Sequence, residues 1–189
     1  MVGNKGAVSK NNPEVKKQDY YEGGQLARLV KLLQKEIETT KALEKNSLPE
    51  KFWYKQQFAI GVNEVTRTLE RMSPATETGT SPQKPRVMGI NRRVSPVRLQ
   101  AILIANDNPK WLTKHLPTLA SSRKVPVIFV KDKRRGSLRL GELVKLKTAV
   151  AIGVKDKGNA INRIVEEVLR GNEIVEMGKD EQQMDLNAE

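Results

Sequence analysis

The stretch "LQAILIANDNPKWLTKHLPTLASSRKVPVIFV", Leu99 to Val130, decides the fold. It opens on "LQAILIA", seven residues with one polar member, too short for a buried helix and suited to a strand covered on both faces. A turn rich in Asn and Asp follows, then "PKWLTKHLPTLASSRK", whose apolar positions recur at helical spacing. "VPVIFV" supplies a second buried strand. Strand, helix and strand in immediate succession form a crossover unit, which places the chain among proteins with helices packed on a largely parallel sheet.

Working outward, the alternation continues. "GSLRLGELV" reads as a short helix, "TAVAIGV" as a third strand and "NAINRIVEEVLRG" as a closing helix. The fold expected is α/β, a three-layer α/β/α sandwich with a mixed central sheet and an N-terminal helical extension. Upstream, "FAIGVNEVTRTLERM" (58–72) carries a helix starting near Asn63, with Val65 and Leu69 turned inward, and a short helical piece from Lys51 leads into it. Residues 25–50 read as an amphipathic helix, with Leu26, Leu29, Val30, Leu33, Ile37 and Leu43 on one stripe; packing on the domain is the first reading and docking to another protein the second. Residues 1–24 are polar and expected to lack a fixed conformation. The remaining divisions are a domain over 51–171, a flexible insertion rich in Pro, Ser, Thr and Gly at 73–97, and an acidic tail at 172–189.

The chain has 189 residues, 34 of them basic and 22 acidic, for a net charge of +12. The excess is concentrated in residues 58–157, which carry a net +13, against +4 before and −5 after. A basic middle points to a polyanion, with nucleic acid first. With no cysteine, thiolate chemistry and cysteine-based zinc sites are excluded. No GxxxxGK[ST] or GxGxxG follows a strand, and one histidine, His115, has no visible catalytic partner; a structural hydrogen bond is its expected role. No cofactor and no metal is expected, no small-molecule substrate, and no membrane partner, since no apolar run approaches the roughly 18 residues needed to span one. The expectation is a soluble intracellular protein without a catalytic centre of its own.

Two readings fit the start of "GVNEVTRTLER". In one, Asn63 caps the first turn of the helix and Glu64 complements its dipole. In the other, Gly61 lets backbone approach a ligand, Asn63 and Glu64 address base edges, and Arg67 one turn along meets a phosphate or a purine. A carboxylate in a basic field needs a specific donor, which guanine offers through N1 and N2 where sheared G·A pairs open the helix; such irregular RNA is what proteins read. Arg134 and Arg135 in "VKDKRRGS" fit either RNA phosphates or a solvated basic loop. Trp53 and Trp111 can stack on bases, with partial burial the expected role of each.

These residues carry a resemblance. "GVNEVTRTLER" closely resembles the Gly-x-Asn-Glu-x-x-Lys/Arg element of the kink-turn RNA-binding superfamily, which includes the archaeal large-subunit ribosomal protein of box C/D particles and shares the Gadd45-like fold. "NDNPKWLTKHLPTLASSRKVPVIFV" is similar to its Asn/Asp turn, His-Leu-Pro helix and Val-Pro strand, and the similarity spans residues 51–170. It implies that Gly61, Asn63, Glu64 and Arg67 read the sheared pairs and adjoining phosphates, that Asn108 and Leu112 face a flipped-out nucleotide, and that Val144, Lys145, Leu146 and Lys147 form the apolar loop covering it. That loop departs from the family's Val-Ser-Arg-Pro pattern and is shorter. "WYKQQFAIGVNEVTRTLER" and "RRGSLRLGELVKLKTAVAIGVK" are most similar to protein subunits of nuclear RNase P and RNase MRP. The resemblance therefore implies a noncatalytic RNA-binding subunit of a nuclear, nucleolar ribonucleoprotein, with a kink-turn-like RNA and neighbouring protein subunits as partners. Ribosomal, box H/ACA and selenocysteine-insertion RNA-binding proteins, or a protein-interaction module of the same fold, are the alternatives.

Overall fold

A computed structural model describes residues 20–44, 48–74 and 97–171. The predicted strand Leu99–Ala105 is β3 of a five-stranded mixed sheet. The other strands are β1 (Tyr20–Glu22), β2 (Phe58–Ile60), β4 (Val127–Lys131) and β5 (Ala151–Lys155), in the order β1-β4-β3-β5-β2. β1 and β3 pair parallel to β4, whereas β5 runs antiparallel to both β3 and β2. The helices are α1 (Gly23–Leu43), α2 (Glu50–Gln57), α3 (Val62–Arg71), α4 (Lys110–Thr113), α5 (His115–Ser122), α6 (Gly136–Leu143) and α7 (Ala160–Leu169).

Two apolar layers flank the sheet. On one face Ala101, Leu103, Ile128, Val130, Ile152 and Val154 meet α1, α2, α6 and α7. On the other, Leu99, Ile102, Ile104 and Ala151 meet Val65 and Leu69 of α3 and Leu116 and Ala120 of α5. That is the expected three-layer α/β/α arrangement with a mixed sheet. Leu99 and Ile102, three residues apart, share a face because the β3–β5 register shifts between Leu99 and Ala101. The slip turns Gln100 towards α7, where it exchanges hydrogen bonds with Asn162 (2.7 and 2.8 Å). Asn162 also completes a capping box with Asn159 that starts α7.

Several expectations change. Residues 20–24 were expected to lack a fixed conformation, yet Tyr20 to Glu22 form β1, fixed by pairing with β4, by Tyr20 stacked on Phe129 at 5.2 Å and by a hydrogen bond from the Tyr21 hydroxyl to the Val168 carbonyl. The helix at 25–50 packs on the domain, the first of its two readings, but the division at residue 51 falls inside one core: Leu26, Leu29, Val30, Leu33 and Ile37 are buried in the same cluster as the sheet. The single helix expected over 109–124 is two, α4 and α5, parted at Lys114, whose own backbone stays in the helical region. Residues 75–96 of the insertion expected at 73–97, residues 1–19 and the acidic tail at 172–189 lie outside the described residues.

Candidate nucleic-acid interface

Topology brings the site together. β2, β3 and β4 end, and β5 begins, at one end of the sheet: the Gly61 amide donates to the Ala151 carbonyl (2.8 Å), the Ala105 amide to Val150 (2.9 Å) and the Asn106 amide to Val130 (2.9 Å). The β2–α3 turn with Gly61, Asn63 and Glu64, the β3–α4 turn with Asn108, the basic β4–α6 turn and the loop before β5 therefore open at the same end. Loops at strand termini are where α/β sheets hold ligands.

Gly61 sets the first turn. Its φ of 93° and ψ of 156° lie in a region that only glycine adopts at low cost, and its carbonyl accepts the Val65 amide that closes the first turn of α3. Gly61 is thus the N-cap, and no side chain caps the helix. This overturns the capping reading of Asn63: Asn63, Glu64 and Arg67 are exposed, and their side chains make no hydrogen bond or ion pair with the described residues. They stand at positions one and four apart, so Asn63 and Arg67 share a helix face with Glu64 beside them. Lys155 feels the negative charge of Glu64, which opposes the downward push of its own burial.

The scaffold behind them is polar and fixed. The Thr66 hydroxyl donates to the Val62 carbonyl (2.8 Å), which leaves its oxygen to accept from His115 Nε2 (2.9 Å). His115 thus clamps α3 to α5, the structural role expected of it. Asp107 accepts from the Ser137 amide (3.1 Å) and hydroxyl (2.8 Å) and from Asn108 Nδ2 (3.2 Å), tying the β3–α4 turn to the start of α6. Asn108 is half-buried by this bond, and Leu112 is half-buried on α4.

The loop before β5 divides between core and solvent. Val144, expected to cover a nucleotide, is only 3% exposed and packs in the core, so it anchors the loop rather than facing a ligand. Leu146 is 50% exposed, and Lys145 and Lys147 are exposed as well. Lys145 pairs with Glu38 of α1 at 3.3 Å, and a residue with φ of 55° at that position turns the chain outward. The loop lies directly on α6: a Cβ on Gly141 would sit 2.7 Å from both the Leu146 carbonyl oxygen and the Thr148 amide. Gly141→Ala is therefore expected to push the loop off α6 at a cost of about 1–3 kcal/mol, read as a lower urea midpoint; an unchanged midpoint would show that the loop yields freely.

Sequence reasoning placed Trp111 partly in the core, and the structure places it 70% exposed on α4, beside Leu112 and between Lys110 and Lys114. A four-residue helix has too little length to bury both faces, and Trp111 has Asp107, Asn108, Lys114 and His115 one turn away, with no apolar residue among them to draw it inward. Trp53, by contrast, is 2% exposed, as expected, with its Nε1 donating to Glu44 at 2.6 Å. At the β4–α6 turn, Lys133, Arg134 and Arg135 line an open cavity of about 510 Å³ with Asp132 and Arg139; Asp132 is already engaged by Arg139 at 2.9 Å. Among the described residues no group of three or more His, Cys, Asp or Glu is placed to hold a metal, and no helix is long and apolar enough to cross a membrane.

A mixed α/β domain with a polar, basic loop end is the class of protein that fold and site define. Within it, residues 87–163 match the profile of the Ribosomal protein L7Ae/L30e/S12e/Gadd45 family. That segment runs from before β3 into the first turn of α7 and leaves out α1, α2 and α3, and with them Gly61, Asn63, Glu64 and Arg67. Two solved structures are also similar. One is a 15.5kD RNA binding protein of Giardia lamblia, at 14% identity and a TM-score of 0.49 over 80% of this chain and 90% of that one. The other is a protein of unknown function from Bacillus halodurans, at 15% identity and a TM-score of 0.42 over 78% of this chain and 99% of that one.

Proposed function

We propose that this protein is a noncatalytic RNA-binding subunit that recognises a kink-turn-like element through sheared G·A pairs. The observation that carries this reading is the set of exposed, unengaged side chains Asn63, Glu64 and Arg67 on a helix whose start is fixed by Gly61. Side chains with no work in the fold, held on a rigid helix beside a basic loop end, are placed to spend their hydrogen bonds on a partner. Asn63 offers a donor and an acceptor, Glu64 accepts from guanine N1 and N2, and Arg67 meets a phosphate. Lys133, Arg134, Arg135, Lys145 and Lys147 are exposed on other loops at the same end of the sheet, and Leu146 and Leu112 offer apolar surface to an unstacked base. The family match over residues 87–163 supports RNA binding in general, not the readout at Asn63, Glu64 and Arg67.

Within this class "WYKQQFAIGVNEVTRTLER" and "RRGSLRLGELVKLKTAVAIGVK" resemble the thirty-eight-kilodalton protein subunit of nuclear RNase P and RNase MRP. The finer proposal is a nuclear, nucleolar subunit of such a particle, in which any catalysis on tRNA or rRNA precursors belongs to the RNA. A gel shift at fixed, near-physiological salt tests the general reading: a kink-turn RNA should bind far more tightly than the same RNA with its G·A pairs made Watson–Crick, and equal binding would reduce the interface to nonspecific charge. Sequencing the RNA that co-purifies with the tagged protein tests the particle; ribosomal, box H/ACA or selenocysteine-insertion RNA in place of RNase P or MRP RNA would reassign it.

Trp111 adds a prediction. Trp111→Ala should weaken binding of the kink-turn RNA by about 1–3 kcal/mol, the usual worth of one base stacked on an aromatic ring, with unfolding little changed because the indole is mostly in solvent. Titration of the variant beside a thermal melt separates the two effects. Unchanged affinity would mean that the indole faces away from the RNA.

A further inference from the structure

The opposite end of the sheet carries a second basic surface. α3 ends there at Arg71, β3 is entered there through Arg98, and α5 ends there in Arg123 and Lys124 before β4 begins. These pieces are in contact: Arg123 Nε donates to the Leu69 carbonyl of α3 at 3.0 Å, and the Asp156 amide, just past β5, donates to the Arg98 carbonyl at 2.9 Å beside Lys157. Arg71, Arg98, Lys124 and Lys157 are exposed, and their side chains form no hydrogen bond or ion pair with the described residues. The acidic side chains on the same elements at this end are Glu70 and Asp156. Arg71 and Arg123 have a plain role, offsetting the negative ends of α3 and α5. Arg98, Lys124 and Lys157 do not, since they follow or precede strands or lie beyond a helix end.

We infer that this far end is a second RNA contact, which grips the phosphate backbone of a duplex arm continuing past the site at Gly61, Asn63, Glu64 and Arg67. The inference rests on the RNA-binding reading and adds to it where the arm goes. Composition favours RNA backbone over an acidic protein. A protein interface is built around apolar and aromatic anchors, and among the described residues the large apolar side chain exposed near these cations is Val97, whereas Trp111, Leu146, Phe52 and Leu43 lie on other elements. Cations without anchors suit phosphates, which fix register without reading sequence. The span is short: α3 covers ten residues, about 15 Å at 1.5 Å per residue, so one protein can touch an RNA at both ends.

The test uses the full chain, the variant Arg71→Gln/Arg98→Gln/Lys124→Gln, and Asn63→Ala/Glu64→Ala as a reference. Each is titrated over a salt series with a minimal kink-turn RNA and with the same RNA carrying extended duplex on one side or the other. Arg123 is left in place because it holds α3 to α5. The triple variant is expected to bind the minimal RNA like wild type, to lose at least tenfold on one extended RNA, and to show there a log–log salt slope shallower by about two to three. No loss on either extended RNA, or the same loss on the minimal RNA, overturns the second contact. Unchanged RNA binding with lost retention on polyglutamate assigns the surface to an acidic peptide and also overturns it. The reference variant reports separately: if it binds every RNA like wild type, the site at Asn63 fails, whatever the triple variant does.

Discussion

Asn63→Ala/Glu64→Ala should bind a kink-turn RNA about a hundredfold or more weakly than wild type while unfolding at nearly the same denaturant concentration. The affinity side follows from the two hydrogen-bonding groups removed. Contacts of this kind to a base edge are worth about 1–3 kcal/mol each, and 1.4 kcal/mol is a factor of ten. The stability side follows from the geometry of α3. Its N-cap is Gly61, its buried residues are Val65, Thr68 and Leu69, and neither the Asn63 nor the Glu64 side chain forms a hydrogen bond or ion pair with the described residues. Alanine has the higher helix propensity, which offsets the few tenths to 1 kcal/mol that Glu64 contributes at the positive end of the helix. Charge makes the result decisive. Removing Glu64 makes the surface more positive, so an interface governed by charge alone would bind all RNAs more tightly. Tighter binding of the kink-turn RNA by the variant would therefore sink the proposed readout; selective loss, with the Watson–Crick control unchanged or slightly tighter, would support it.

What the sequence made legible divides along physical lines. β3, α6 and α7 lie within a residue or two of their expected positions, because long apolar runs bounded by turn residues leave few alternatives. β1 and β2 were missed: each is three residues long, and what makes Tyr20–Glu22 a strand is the partner edge of β4, far along the chain. At the site, the order of Gly61, Asn63, Glu64 and Arg67 was visible in the sequence, but their freedom was not. Whether Asn63 caps the helix or stands clear turns on two residues of register at the helix start, where sequence reading is weakest, and Gly61 settles it by taking the cap itself. Val144 and Leu146 sit two apart in one loop and go to opposite environments, a difference that only the seat of the loop on Gly141 determines.

Removing residues 1–44 should cost the domain its cooperative unfolding. Such a deletion looks harmless from the family match, which begins at residue 87 and spans β3 to α7. In the structure, however, α1 is a wall of the core: Leu26, Leu29, Val30, Leu33 and Ile37 are each at most 7% exposed and share one cluster with Leu140 and Leu143 of α6, Ile161, Val165 and Val168 of α7 and the near face of the sheet. Burying an aliphatic side chain is worth about 1.5–3 kcal/mol, so five of them rival the 5–15 kcal/mol by which a whole domain is stable. The deletion also strips β1 from the edge of β4 and leaves that edge unpaired, an invitation to aggregate. A milder variant keeps the question answerable if the truncated chain is insoluble: Leu29→Ala, at a site 1% exposed, is expected to lower stability by about 2–5 kcal/mol in urea denaturation. The damage should extend to the interface, because Lys145 reaches from the loop before β5 to Glu38 on α1 and Val144 packs in the same cluster. That exposed pair is worth 1 kcal/mol at most, so loosening of the loop should come mainly through the core. A truncated chain that unfolds in one sharp transition at the wild-type midpoint would show that α1 is an appendage after all; a broad or absent transition would show that the loop end carrying Gly61 and Asn63 is built on a core to which α1 belongs.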